Sequence, residues 1–122
     1  MVEHRTLMKS FQYAFSGVVF AFRHNQNMQI HVLFAVVVII LSIIFHISAF
    51  EMGILGVMIL LVICTEMINT SIEEMTDLIS KEHSKEAKIA KDVAAGMVLL
   101  TSIGAVIVGL LIFLPYLLRL IQ

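Results

Sequence analysis

The chain has 122 residues, of which 60% are hydrophobic and only 14% charged, against roughly 25% charged in an average soluble domain. One domain of this size has too much surface for its volume to hide so much apolar area from water, which excludes a water-soluble monomer and a disordered chain. The net charge of -1 supplies no basic field for nucleic acid. The lone Cys64 excludes an internal disulfide and a cysteine metal cluster; sitting in an apolar run, it reads as a small core residue.

Leu7, Phe11, Phe15, Val18 and Phe22 recur at helical spacing, with Lys9, Gln12, Tyr13, Ser16 and Arg23 between them. The pattern predicts a helix over about 5–24, lying in the membrane interface. A signal peptide is not expected, because the apolar run starts late and no small-residue cleavage site follows it.

Three segments are long enough to cross a bilayer core, which takes about 20 apolar residues in helix. Residues 29–50 contain the run 32–45, broken only by Ser42. Residues 52–74 begin without charge over 52–65 and then turn polar, while 93–118 carry no charge at all. The closely spaced turn signals of a membrane barrel are missing, so the fold class is an all-α membrane protein in one domain, 1–122. Gly53, Gly56, Gly96, Gly104 and Gly109 lie in or beside the spans and read as close-packing sites between helices. Pro115 sits near the end of the last span, where a weakened helix costs little.

Arg5, Lys9 and Arg23 precede the first span, and Lys81, Lys85, Lys88 and Lys91 lie between the second and third. The turn around 46–51 has no Lys or Arg, and the C-terminus has only Arg119. The positive-inside rule then places the N-terminus and the Lys-rich loop in the cytoplasm and the C-terminus outside.

The chemistry concentrates in 65–77, TEMINTSIEEMTD. Glu66, Asn69, Glu73 and Asp77 fall on one stripe covering less than a quarter of a helix circumference. Such carboxylates repel one another unless something cationic lies between them. Lys91 and Asp92, at the entrance to the third span, are placed to face them, as is a metal ion or a nucleotide-bound metal. Counted from the outer edge, Glu66 lies some 10 Å inside the cytoplasmic face and Glu73 close to it. An acid in the hydrocarbon is a functional candidate by default; the structural alternative is a neutral Glu66, or one hydrogen-bonded to Asn69 or Thr70. Glu74 reads as a solvated neighbour. Nucleotide-binding loops of the GxxxxGK[ST] and GxGxxG types are absent. His31, His46 and His83 are too scattered for zinc, and no serine stands in a nucleophile context.

Four stretches together resemble the small prokaryotic membrane lipid kinases, the diacylglycerol kinase and undecaprenol kinase family. They are Glu66-x-x-Asn69-Thr70-x-Ile72-Glu73-x-x-x-Asp77; Ala87-Lys88-x-Ala90-Lys91-Asp92-x-Ala94-Ala95-Gly96; Lys9-Ser10-Phe11-x-x-Ala14-x-x-Gly17; and Asn27-x-Gln29-x-His31. The resemblance runs from Lys9 to Pro115. It implies a surface helix and three membrane helices, assembled as a homotrimer in the cytoplasmic membrane with sites shared between protomers near the cytoplasmic face. It implies ATP as co-substrate with Mg2+, and a lipid alcohol as acceptor. Glu66 matches the carboxylate that takes the proton from the lipid hydroxyl, and Glu73 a magnesium ligand beside the ATP phosphates. Asn69, Lys91 and Asp92 match residues of the nucleotide site, and Tyr13, Glu82 and His83 match ATP-contacting positions. One position departs from the pattern: Asn25 stands where the family usually has a second metal-binding glutamate. Asparagine offers a carbonyl oxygen but no charge, which leaves open weaker metal binding, a different ligand or a less active member. The second and fourth stretches are closest to the Gram-positive branch, which points to undecaprenol as the acceptor, with diacylglycerol as the alternative. A reading from another class is a small oligomeric channel or proton carrier lined by the acidic stripe.

Overall fold

The computed structural model describes residues 6–80 and 84–122. These form four helices, α1 Leu7–His24, α2 Gln26–Ile44, α3 Ala49–Ile79 and α4 Lys85–Ile121, with no strand among the described residues. The all-α expectation holds, and α2, α3 and α4 are each long and apolar enough to cross a membrane.

Each helix starts on a polar cap. The Thr6 hydroxyl accepts from the Lys9 amide at the head of α1, and Arg23 and His24 in the last turn complement the helix dipole. Of the predicted apolar stripe, Leu7, Phe11 and Phe15 are exposed, and Ala21 is the buried residue of the helix. The stripe is therefore left free for a membrane surface.

Asn25 caps α2, its side-chain oxygen accepting from the Asn27 and Met28 amides at 2.9 and 3.4 Å. The helix ends at Ile44, earlier than the apolar span 29–50 suggests. His46 then takes a positive φ of 53°, a left-handed conformation in which His is enriched. Ser48 starts α3, accepting from the Glu51 amide at 3.2 Å and donating to the Glu51 carboxylate at 2.8 Å. This pairing of a capping serine with the acid three residues on moves Ala49 and Phe50 into α3.

α3 has 31 residues and α4 has 37, about 46 and 55 Å at 1.5 Å per residue, well beyond a bilayer core of about 30 Å. They run antiparallel and are pinned at three levels. The Tyr116 hydroxyl donates to Glu51 at 2.6 Å. The hydroxyls of Thr65 and Thr101 meet at 3.0 Å. The Lys91 ammonium pairs with Asp77. Ile47, Leu55 and Ile112 form a small core at the Tyr116 end, with Phe45 and Phe113 packed edge to face beside it. Because that end is closed, the surplus length of both helices projects from the other, carrying the polar residues with it.

Elsewhere large apolar side chains such as Leu60, Leu100 and Leu111 face outward, which only an apolar solvent tolerates at this density. Cys64 is among the exposed residues, so it is not the core residue its apolar neighbours suggest; the face turned inward is that of Val62, Thr65 and Glu66. The glycines also differ from expectation. Only Gly104 has a side chain of another helix near the place of a β-carbon, Met58 at 3.7 Å, while Gly53, Gly56, Gly96 and Gly109 face open space within the chain.

Candidate functional site at the α1–α2 junction and the polar half of α3

The acidic stripe of α3 climbs from the interior to the surface. Glu66 is 1% exposed and Asn69 5%, whereas Glu73 and Asp77 are exposed. The buried end is a closed hydrogen-bonded unit. Asn25 donates from its Nδ2 to Glu66 Oε1 at 2.7 Å and to Thr70 Oγ1 at 2.8 Å. Thr70 in turn donates to the backbone carbonyl of Glu66 at 3.0 Å. The carboxylate is thus held by Asn25 from the α1–α2 junction, and not by Asn69 or Thr70, the same-helix partners of the structural alternative. Its second oxygen, Oε2, is buried with no hydrogen-bond partner among the described residues. His31 Nε2 lies 3.7 Å from it, outside hydrogen-bonding range.

Asn69 points toward the surface end, donating from Nδ2 to Glu73 Oε1 at 3.2 Å. Its carbonyl oxygen Oδ1 is buried and has no hydrogen-bond partner among the described residues. A carboxylate tethered beside an orphaned amide oxygen is the hard-oxygen donor set that suits magnesium. Among the described residues no three His, Cys, Asp or Glu side chains converge to hold a metal by themselves. Magnesium does not require that, since it commonly takes one or two carboxylates and completes its shell with water and phosphate oxygens.

Of the two α4 residues expected opposite the stripe, Lys91 meets it through Asp77, while Asp92 pairs with Lys88 one turn away on its own helix. Both pairs are largely exposed and contribute little to stability; their value is in placing charge. Tyr13 lies on an exposed face of α1. Glu82 and His83 lie outside the described residues.

Between α2, α3 and α4 runs an apolar cavity of about 470 Å³, lined by Phe34, Leu55, Val62, Leu110 and Phe113 among others. His31 and Ser102 also line it, and the Ser102 hydroxyl oxygen is buried without a partner. His31 therefore belongs both to the cavity wall and to the surroundings of Glu66. Sequence spacing gave His31 no role, because its neighbour lies on another helix; the available signal is a lone histidine at the head of an apolar run.

The four helices and the acidic stripe describe a small helical membrane protein whose carboxylate site is buried at one end and exposed at the other. The family model for prokaryotic diacylglycerol kinase matches residues 12–113, and the chain belongs to that family. It is 43% identical over 115 residues to a diacylglycerol kinase of Synechocystis sp., matching 93% of this chain and 66% of that protein. It is 38% identical over 113 residues to an undecaprenol kinase of Bacillus subtilis, matching 93% of this chain and 92% of the relative.

Proposed function

We propose that the protein is a lipid kinase that transfers the terminal phosphoryl group of ATP to the hydroxyl of a membrane lipid alcohol, with undecaprenol as acceptor. The observation that carries this reading is Glu66: a buried carboxylate with one oxygen fixed by Asn25 and the other unpartnered, beside the wall of an apolar cavity. A base for a lipid hydroxyl needs an unpartnered acceptor in dry surroundings, reachable from the bilayer. Glu66 Oε2 takes the hydroxyl proton as the lipid oxygen bonds to the terminal phosphorus, and the bond to the leaving ADP oxygen breaks. Phosphoryl transfer asks the protein mainly for positioning and charge neutralisation. Magnesium, when bound, neutralises phosphate charge, and Glu73 with the Asn69 carbonyl oxygen would hold it. Lys91 adds positive charge at the same end, and Asp92, Tyr13, Glu82 and His83 complete the ATP site by their family positions.

On this reading the N-terminus and the α3–α4 connection face the cytoplasm, where ATP is, and the protein sits in the cytoplasmic membrane. One chain leaves Glu73 and Asp77 exposed, which leaves room for neighbouring copies to complete the sites, and the family resemblance supports three copies in a closed ring. Undecaprenol is preferred over diacylglycerol because the relative named for it is matched over nearly its whole length; the Synechocystis relative's name supports the second alcohol. The test is transfer of labelled phosphate from ATP in vesicles containing both alcohols. Label in undecaprenyl phosphate is the expected result. Label in phosphatidic acid alone would reassign the substrate, and no lipid label with proton leakage would favour the carrier.

A further inference from the structure

Asn25 occupies the position at which the family resemblance implies a second metal-binding glutamate, and the contacts of its side chain assign it other work. We infer that Asn25 is a positioning residue for Glu66, and that this chain holds its metal without a ligand from the α1–α2 junction. The inference rests on the general-base reading of Glu66.

The orientation of the Asn25 amide is fixed by its neighbours. Two backbone N–H groups, those of Asn27 and Met28, point at one atom of the side chain. Both are donors, so that atom is the carbonyl oxygen, and the atom opposite is the nitrogen. The oxygen is engaged by the cap of α2, closely by the Asn27 amide at 2.9 Å and more loosely by the Met28 amide at 3.4 Å. The nitrogen has two hydrogens, committed to Glu66 Oε1 and Thr70 Oγ1. The oxygen is turned to the backbone of α2, and the face turned toward Glu66 carries hydrogens that repel a cation. The same four bonds make a rigid clasp, because the start of α2 is locked to the middle of α3 through the carboxylate. With Oε1 pinned, Oε2 is held on the side of His31, which itself lines the apolar cavity. Misplacing a reacting group by about 1 Å can cost on the order of 100-fold in rate. Magnesium then depends on Glu73, Asn69 and the phosphates.

Two variants of the full chain in lipid vesicles separate the clasp from the cap. Asn25→Asp keeps a capping oxygen for α2, since Asp caps as well as Asn, but replaces the donor with an oxygen facing Glu66. Asn25→Ser also caps and removes the donor without adding charge. Both are expected to keep wild-type helicity and to lose turnover at least about tenfold. The KM for ATP and the half-saturating magnesium concentration should stay within about twofold of wild type, since neither depends on the clasp. A readout independent of kinase activity is labelling of Glu66 by a hydrophobic carbodiimide, followed by mass spectrometry. Release of Oε1 should speed this several-fold in Asn25→Asp. Higher activity of Asn25→Asp at lower magnesium would make the position a metal ligand and overturn the inference. Wild-type turnover and labelling in both variants would reduce Asn25 to a helix cap and overturn it as well. If the wild-type protein transfers no phosphate, the kinase reading fails, and the labelling contrast still decides whether Asn25 holds Glu66.

Discussion

Leaving Glu66 Oε2 buried without a hydrogen bond among the described residues, with only the His31 ring 3.7 Å away, costs the fold about 1–3 kcal/mol, and Asn69 Oδ1 adds a second such atom a turn away. Two such atoms on one helical face fit a site whose substrates supply the missing contacts. Glu73→Gln tests the exposed end. It keeps the side chain's size and its ability to accept from Asn69, and removes the charge. The magnesium concentration needed for half-maximal activity should rise several-fold and ATP binding should weaken; an unchanged magnesium dependence would remove Glu73 from the metal site. At this scale the sequence was half legible. Spacing alone placed Glu66, Asn69, Glu73 and Asp77 on one face, because a helix fixes that geometry locally. It left the partner of Glu66 open, because Asn25 is separated from it by 41 residues and reaches it only through the packing of α2 on α3. The outward turn of Cys64 was hidden for a related reason: in an apolar run, hydropathy does not distinguish a lipid-facing side from a protein-facing one.

Among the elements, the α3–α4 pair is the scaffold that sets the site's depth. Its pins at Glu51–Tyr116, Thr65–Thr101 and Asp77–Lys91 fix the register of two long helices. They are not equal in strength. Tyr116 bonds a carboxylate and belongs with the small core at its end, while the Asp77–Lys91 pair is largely exposed. Tyr116→Phe should lower unfolding stability in detergent measurably, and Asp77→Asn should lower it less, because its ion pair is screened by solvent. Because Glu51 lies roughly 20 Å along α3 from Glu66, Tyr116→Phe should leave turnover unchanged, as measured on folded protein. Equal losses from the two substitutions would contradict the ranking. Hydropathy located the elements but not their ends. Ser48 and Ser84 cap α3 and α4, and α4 starts eight residues before the uncharged run at Val93, since a helix continues past the membrane wherever its backbone bonds can.

For the whole molecule, the exposed outer surface and the half-open site argue for an assembly in lipid. Glu73 and Asp77 are uncovered in one chain, and Gly53, Gly56, Gly96 and Gly109 face open space. Cross-linking in vesicles should trap a closed oligomer of three, and diluting the protein to monomers in excess detergent should abolish turnover. A fully active monomer would contradict shared sites. The membrane class was legible from composition because no chain of this size can bury 60% hydrophobic residues in water, whereas nothing in one sequence records which faces meet another copy.

The role of Glu66 as the base acting on the lipid hydroxyl is decided by turnover and ATP binding of Glu66→Gln in undecaprenol-containing vesicles. The glutamine oxygen can still accept from Asn25, so the clasp survives while the base is lost. Phosphate transfer should slow about 100- to 10,000-fold with ATP affinity nearly unchanged; near-normal turnover in that variant would remove Glu66 as the base, and lost turnover with equally weakened ATP binding would place Glu66 in the metal site instead.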